Sequence, residues 1–475
     1  MAVQRASASD APTTVAIGVE RSGVTAQGTG LPENGALPDS ANSNTHSSMA
    51  RFIIRGQRTL SGTLQATGNK NAALPMIAAA LLTDEPVTLE NVPDIVDARV
   101  MLEILGQLGV SHEWRGRSLI IHARDVRSTE PDAALSRRVR GSILFAGPLL
   151  ARCGSVSIPG AGGDAIGRRR LDTHFFGLCG LGAEMDVGPQ SVRLRAKNRL
   201  RGGYLLLDEA SVTATENLIM AAALAAGRTE IFNAACEPHV QDLCHLLNKM
   251  GARITGIGTN RLFIDGVARL HGCQHRIEAD YMEAASYLAA AALTGGALRV
   301  EGMTQSEVAP VLRHGFGRLG VEWEEGDGAW TLPAGCELRV KPDLSSAIPK
   351  IEDGIWPAFP SDLLSVLLVL ATQAKGSVLF FEKMFESRLY FVDRLIEMGA
   401  AIVQCDPHRV VITGPSPLQG NLVTSPDIRA GMALILAALC ARGESVIENA
   451  QMIDRGYEAI EQKLRALGAD IVREG

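Results

Sequence analysis

Aromatic residues make up only 4% of this 475-residue chain, and alanine and glycine take their place, which suits a core of closely packed helices and strands. No apolar run reaches the roughly 18 residues needed to span a bilayer. The longest, Ala72 to Leu82, has the length of a core helix. The eight cysteines (Cys153, Cys179, Cys236, Cys244, Cys273, Cys336, Cys405 and Cys440) contain no C-x-x-C pair and no metal-ligand spacing, and read as free thiols of a reducing cytoplasm. An excess of basic charge is missing as well. With 46 Lys and Arg against 52 Asp and Glu, the net charge is −6 and the pI near 6.0, which argues against bulk attraction to nucleic acid or an anionic membrane. Any anionic ligand must therefore be held by a local cluster of cations. A hydrophobic content of 46% with 21% charged residues fits a globular protein.

Residues 1–48 are rich in Ala, Ser, Thr, Asn, Gly and Pro and poor in large apolar residues, so they read as a flexible tail without a secretory apolar core. Met49 stands directly before the first strand-like run, Arg51-Phe-Ile-Ile-Arg, and is a candidate start.

What the rest contains is a repeat. The phrase Leu-Gly-Ala or a close relative recurs at Gly109, Gly182, Gly251, Gly320, Gly399 and Gly468, at spacings of 73, 69, 69, 79 and 69 residues. Apolar residues at helical spacing precede each glycine, as in Val100, Leu102, Leu105 and Leu108, or Phe391, Leu395 and Met398. Before most of those runs comes a strand opened by glycine, such as Gly296-Ala-Leu-Arg-Val-Glu or Gly443-Glu-Ser-Val-Ile-Glu-Asn, and after the glycine comes another, as in Ala400-Ala-Ile-Val. A fixed period means one supersecondary unit copied, each copy burying its apolar face against its neighbours. Six units in a chain too long for one ordinary core divide naturally into three plus three.

Three clusters can carry chemistry. In Thr67-Gly-Asn-Lys-Asn-Ala-Ala-Leu-Pro, a glycine turn leads into an apolar helix with Lys70 and Asn71 at its start, where unpaired N–H groups and the ammonium favour an anion. The plain alternative is a solvated lysine. In Pro159-Gly-Ala-Gly-Gly-Asp-Ala-Ile-Gly-Arg-Arg-Arg-Leu-Asp-Thr-His, four glycines and three consecutive arginines read as a mobile loop that closes over an anion, rather than as a solvated loop. Arg388, Arg429 and Arg455 lie just before or within the first turn of the later repeat helices, so pseudo-symmetry suggests that they converge on one anion site. Asp362, in Trp356-Pro-Ala-Phe-Pro-Ser-Asp, sits at a helix start, where a bare cap is the plain alternative.

From about Arg51 onward the chain resembles the UDP-N-acetylglucosamine 1-carboxyvinyltransferases, a branch of the enolpyruvyl transferases. The motifs that carry the resemblance are Gly68-Asn-Lys-Asn-Ala-Ala-Leu-Pro, Arg140 before Gly147-Pro-Leu-Leu-Ala-Arg, Phe359-Pro-Ser-Asp, Asp427-Ile-Arg-Ala and Asp454-Arg-Gly-Tyr-Glu-Ala-Ile-Glu. The resemblance implies an α/β fold, a two-domain inside-out α/β barrel built from six βαβαββ-type repeats. One domain takes residues 49–69 and 278–475, the other residues 70–277, with the active site in the cleft between them. It also implies a cytoplasmic enzyme that moves the enolpyruvyl group of phosphoenolpyruvate to the 3′-hydroxyl of UDP-N-acetylglucosamine and releases phosphate. The route is addition and then elimination, without cofactor or metal, nucleic acid, membrane or obligate protein partner.

That chemistry asks for cations around phosphate and carboxylate, a proton donor for the methylene carbon and a base near the hydroxyl. By matching motifs, Lys70, Arg169 and Arg455 would hold the phosphate and Arg388 and Arg429 the carboxylate, where a guanidinium fork suits the geometry. Asp362 would face the sugar hydroxyl as base, while Asn71, Arg140 and Asp427 would support the site. Arg170, Leu171, Asp172, Ser211, Val212 and Met384 would contact the nucleotide sugar. Asp164 stands where relatives carry a reactive cysteine, and would serve as the loop proton donor with its pKa raised. Because fosfomycin alkylates that thiol, insensitivity to it is implied. The loop also reads two residues longer than usual. Arg170 replaces a commoner proline, and Glu209 replaces a lysine that often contacts the nucleotide. Asn71, where shikimate-pathway enzymes carry serine, favours the nucleotide-sugar branch over that enzyme or a specialised paralogue. An RNA 3′-phosphate cyclase-like reading asks for a histidine near the C-terminus, and the last one here is His408.

Overall fold

The computed structural model describes residues 50–160, 162–163, 166–167 and 169–475. Asp164 lies outside the described residues.

Each repeat glycine ends a helix in the left-handed region: φ is +95° at Gly109, +96° at Gly182, +99° at Gly251, +85° at Gly320, +102° at Gly399 and +106° at Gly468. A Cβ is strained in that conformation, so glycine recurs at these six exits from helix to strand. That is the physical origin of the period.

The described strands form six sheets, in keeping with six repeats. Five have four strands, in which a short strand lies parallel beside a second that pairs antiparallel with a third, and in four of these the third is one arm of a hairpin. The sixth has three strands, Ser155–Pro159, Ser191–Ala196 and Ala183–Val187, all antiparallel. Several sheets are completed from far along the chain. Arg51–Arg55 lies between Glu444–Glu448 and Asp470–Glu474, both antiparallel to it. Gly62–Gln65 runs parallel to Leu298–Glu301, and Gln274–Arg276 runs parallel to Val87–Glu90. The strand expected at Ala400 begins two residues later, at Ile402.

Inside the sheets stand helices that are apolar on nearly every face, the pattern of a fully buried helix. Tyr281–Leu293, Ser361–Gln373 and Ile428–Cys440 pack against one another in one core. Lys70–Ala79, Ala146–Cys153 and Val212–Ala223 stand in a second core. Helices within and sheets without make this an inside-out α/β barrel in two domains. The two passages of chain between the cores lie side by side: Asn69 N–H donates to Glu278 O at 2.8 Å and Asp280 N–H to Thr67 O at 2.7 Å.

Candidate active site

The helix Lys70–Ala79 is capped by Asn69, whose side chain accepts from the N–H of Asn71 at 2.8 Å and of Ala72 at 3.2 Å. This cap fixes the helix start and turns Lys70 inward, where it is buried rather than solvated. Its Nζ lies 2.8 Å from Oδ2 of Asp97, in the first turn of Val96–Gln107. The other oxygen of Asp97 accepts from Arg455 Nε at 2.9 Å. Burial alone would push the Asp97 carboxyl up, but Lys70 and Arg455 outweigh it and hold it below its ordinary value.

A second carboxylate repeats the arrangement. Asp362 lies in the first turn of Ser361–Gln373, and no side-chain cap bond is made at that helix start. Arg388 Nη2 lies 2.6 Å from its Oδ1 and Arg429 Nη2 2.9 Å from its Oδ2. Burial opposes the charge here too, yet Arg429, Arg388 and then Lys70 hold the carboxyl far below the usual carboxylate range. The field of Lys70 at Asp362 ties the two clusters into one site. Four cations face two carboxylates, and the surplus suits a multiply charged anion.

Arg429 is positioned from several sides. Asp427 caps the helix Ile428–Cys440 and accepts the Arg429 N–H at 2.8 Å. The guanidinium donates to Tyr457 Oη at 3.3 Å and rests on Met282 Sδ at 3.3 Å. Arg388 stacks 5.1 Å from the Phe385 ring centroid, and Arg169 approaches the same ring at 6.0 Å.

The three arginines divide between two carboxylate partners. Arg388 and Arg429 share Asp362, while Arg455 joins Lys70 on Asp97. Arg455 ends the 3-10 helix Ala450–Arg455, Arg429 lies inside its α-helix and Arg388 lies in a turn. Asp97, Tyr457 and Met282 escaped the sequence reading. Asp97 alone gave a signal, an acidic residue in the first turn of an amphipathic helix.

The glycine loop reaches the segment that carries Arg388. Ser387 N–H donates to Ile166 O at 3.1 Å, and Gly167 lies so near Glu386 that a Cβ there would meet Glu386 Oε2 at 2.2 Å. Arg140 supports the loop, its Nη2 donating to Arg169 O at 2.9 Å and Arg170 O at 3.3 Å. Burial and then the charge of Arg169 bring Arg140 down to about 10. Arg170 bridges Asp172 and Asp208, at 3.0 Å each. Thr173 Oγ1 donates to Asp208 at 2.8 Å and Glu209 at 3.2 Å. Leu171 and Asp172 open the helix Asp172–Gly180, and Ser211 caps Val212–Ala223. Met384 is 40% exposed beside the loop contact. Among the described residues no His, Cys, Asp and Glu group has metal-site geometry.

The sequence profile of the EPSP synthase (3-phosphoshikimate 1-carboxyvinyltransferase) family matches residues 54–464. The UDP-N-acetylglucosamine 1-carboxyvinyltransferase of Borreliella burgdorferi is 52% identical over 423 residues, 89% of this chain and 99% of that protein. The one from Bradyrhizobium diazoefficiens is 51% identical over 425 residues, covering 89% and 98%. Two solved structures are similar in fold. The enolpyruvyl transferase NikO of Streptomyces tendae has a TM-score of 0.80 at 24% identity, covering 90% of this chain and 99% of that one. EPSP synthase of Acinetobacter baumannii has a TM-score of 0.69 at 17% identity, covering 90% and 100%. With half its residues shared across the full length of such relatives, this chain belongs to the EPSP synthase family and, within it, to the UDP-N-acetylglucosamine 1-carboxyvinyltransferases.

Proposed function

We propose that this protein transfers the enolpyruvyl group of phosphoenolpyruvate to the 3′-hydroxyl of UDP-N-acetylglucosamine in the cytoplasm, releasing phosphate at the start of peptidoglycan precursor synthesis. The observation that carries the reading is the pairing of four cations on two aspartates, Lys70 and Arg455 on Asp97 and Arg388 and Arg429 on Asp362. One pair suits a phosphate and the other a carboxylate, the two anionic ends of phosphoenolpyruvate. Arg169 joins the phosphate from the loop.

Asp362 is the base. While Arg388 and Arg429 hold it ionised, it binds a proton weakly. A substrate carboxylate that takes over those guanidiniums removes the opposing charge and raises the pKa of Asp362. It can then accept the hydroxyl proton as the sugar oxygen bonds to C2 of phosphoenolpyruvate. Asp164 supplies a proton to C3, which gives a tetrahedral ketal phosphate. Loss of a proton from C3 and of phosphate from C2 restores the double bond. Asn71, Arg140 and Asp427 position these groups, while Arg170, Leu171, Asp172, Ser211, Val212 and Met384 face the nucleotide sugar. Domain boundaries at residues 70 and 278 are supported by the antiparallel contact of residues 67–69 with 278–280.

The test is phosphate release from phosphoenolpyruvate with UDP-N-acetylglucosamine, compared with shikimate 3-phosphate. Turnover with the nucleotide sugar alone is expected. Equal turnover with both, or none with either, would overturn the reading.

A further inference from the structure

Asp353 and Glu382 are neighbouring carboxyls at the start of the Asp362 helix, and no step of the reaction above uses them. Asp353 is 1% exposed and Glu382 0%. Glu382 Oε1 accepts from the N–H groups of Met384 and Phe385, both at 3.1 Å. Ser361 Oγ lies 3.0 Å from Glu382 Oε1 and 3.1 Å from its Oε2. Asp353 Oδ1 accepts the Lys383 N–H at 2.5 Å. Its Oδ2 is buried without a hydrogen-bond partner.

Two ionised carboxylates buried in contact would repel and leave that oxygen unmet; one proton between them removes both costs. Burial, the hydrogen bond to Asp353 and its charge push Glu382 up to about 9, so Glu382 carries that proton at neutral pH. The surrounding charges do not replace it. Arg388 acts on Glu382 in the opposite sense but is engaged by Asp362. Lys350 and Lys383 are turned to Glu352, and Arg409 to Asp406. The His408 imidazole meets the backbone oxygen of Glu382, at 2.7 Å, and not its carboxyl.

We propose that Asp353 and Glu382 share one proton as a positioning pair that locks the Ser361–Asp362 helix start to the 383–388 segment. The pair thereby sets how Asp362, Arg388 and Met384 meet the substrates. Ser361 precedes the base, Met384 and Phe385 precede Arg388, and all three donate to the Glu382 carboxyl. The inference rests on the enolpyruvyl transfer reading. Wild-type turnover tests that reading, and comparison of variants with wild type tests this one.

Glu382→Gln keeps an acceptor for Ser361 and the two N–H groups and offers an amide donor to Asp353, whereas Glu382→Ala removes both. At neutral pH, kcat/KM for phosphoenolpyruvate should fall about a hundredfold in E382A, the size expected when reacting groups are misplaced by about 1 Å, and stay near wild type in E382Q. UDP-N-acetylglucosamine should still bind both variants. As pH rises through about 9, wild-type Glu382 ionises while the amide does not, so the ratio of E382Q to wild-type rate should climb. Taking the ratio cancels every titration the two share. E382Q losing as much as E382A, E382A retaining full rate, or a ratio flat with pH would each overturn the proposal. Should E382A fail to fold, the E382Q ratio decides.

Discussion

Arg455 Nε donates to Asp97 Oδ1 at 2.9 Å across 358 residues of sequence, and through Asp97 it becomes the neighbour of Lys70. A cation from the last repeat and one from the first are thus held on a single carboxylate. Asp97 is 3% exposed, so its partners cannot be replaced by water.

Asp97→Asn should therefore destabilise the fold as well as the site. Removing one member of a buried charge network costs about 3–5 kcal/mol. The sign with pH follows from the depressed carboxyl. Its contribution is fully present above the unfolded carboxylate value of about 4, and is lost as pH falls through the lower folded value. Denaturant melts should show a large gap between wild type and D97N at neutral pH that narrows in acid. A gap that does not change with pH would mean the pair contributes no linked stability.

The cation pairs should act as preorganised charge. Arg388→Ala, Arg429→Ala and Arg455→Ala are each expected to cut kcat/KM by about a hundredfold or more. Steady-state kinetics with less than a tenfold loss in all three would remove them from the site.

Gly167 tests the loop contact. Its φ is +126°, and an added Cβ would meet Glu386 Oε2 at 2.2 Å and Glu386 N at 3.1 Å. Gly167→Ala should push the loop off the 385–387 segment, at a backbone cost of about 1–3 kcal/mol, lowering kcat/KM while the global melting temperature holds. Faster cleavage at the loop in limited proteolysis would report the same opening. Wild-type kinetics in G167A would show that the contact is dispensable.

Asp164, whose role rests on the sequence, should make the protein insensitive to fosfomycin, since a carboxyl is a poor nucleophile toward the epoxide. As a general acid it must be protonated, so activity should fall as pH rises through its pKa. Asp164→Cys should restore drug sensitivity and extend activity upward in pH. Asp164→Asn should lose most turnover yet bind UDP-N-acetylglucosamine. Time-dependent inactivation of wild type by fosfomycin, or full rate in D164N, would show that Asp164 is not the donor.

The sequence by itself determined the repeat, because its causes are local. Six helices exit through a left-handed residue, and glycine therefore recurs at each of those exits. The first strand, Arg51–Arg55, and the buried helix opening at Lys70 were legible for the same reason: their apolar patterns lie within a few residues. Lys70, Asp362, Arg388, Arg429 and Arg455 were visible as charges at element starts. Tertiary structure alone decided how they pair. Arg455 parts from Arg388 and Arg429, meeting Asp97 while they meet Asp362. Asp97 gains its place only when the first and last repeats meet. Asp353 and Glu382 sit 29 residues apart, and their shared burial follows from sheet packing that no local pattern encodes. Charge pairing inside a protein depends on distances between folded elements, and sequence spacing carries those distances only within a helix or a strand.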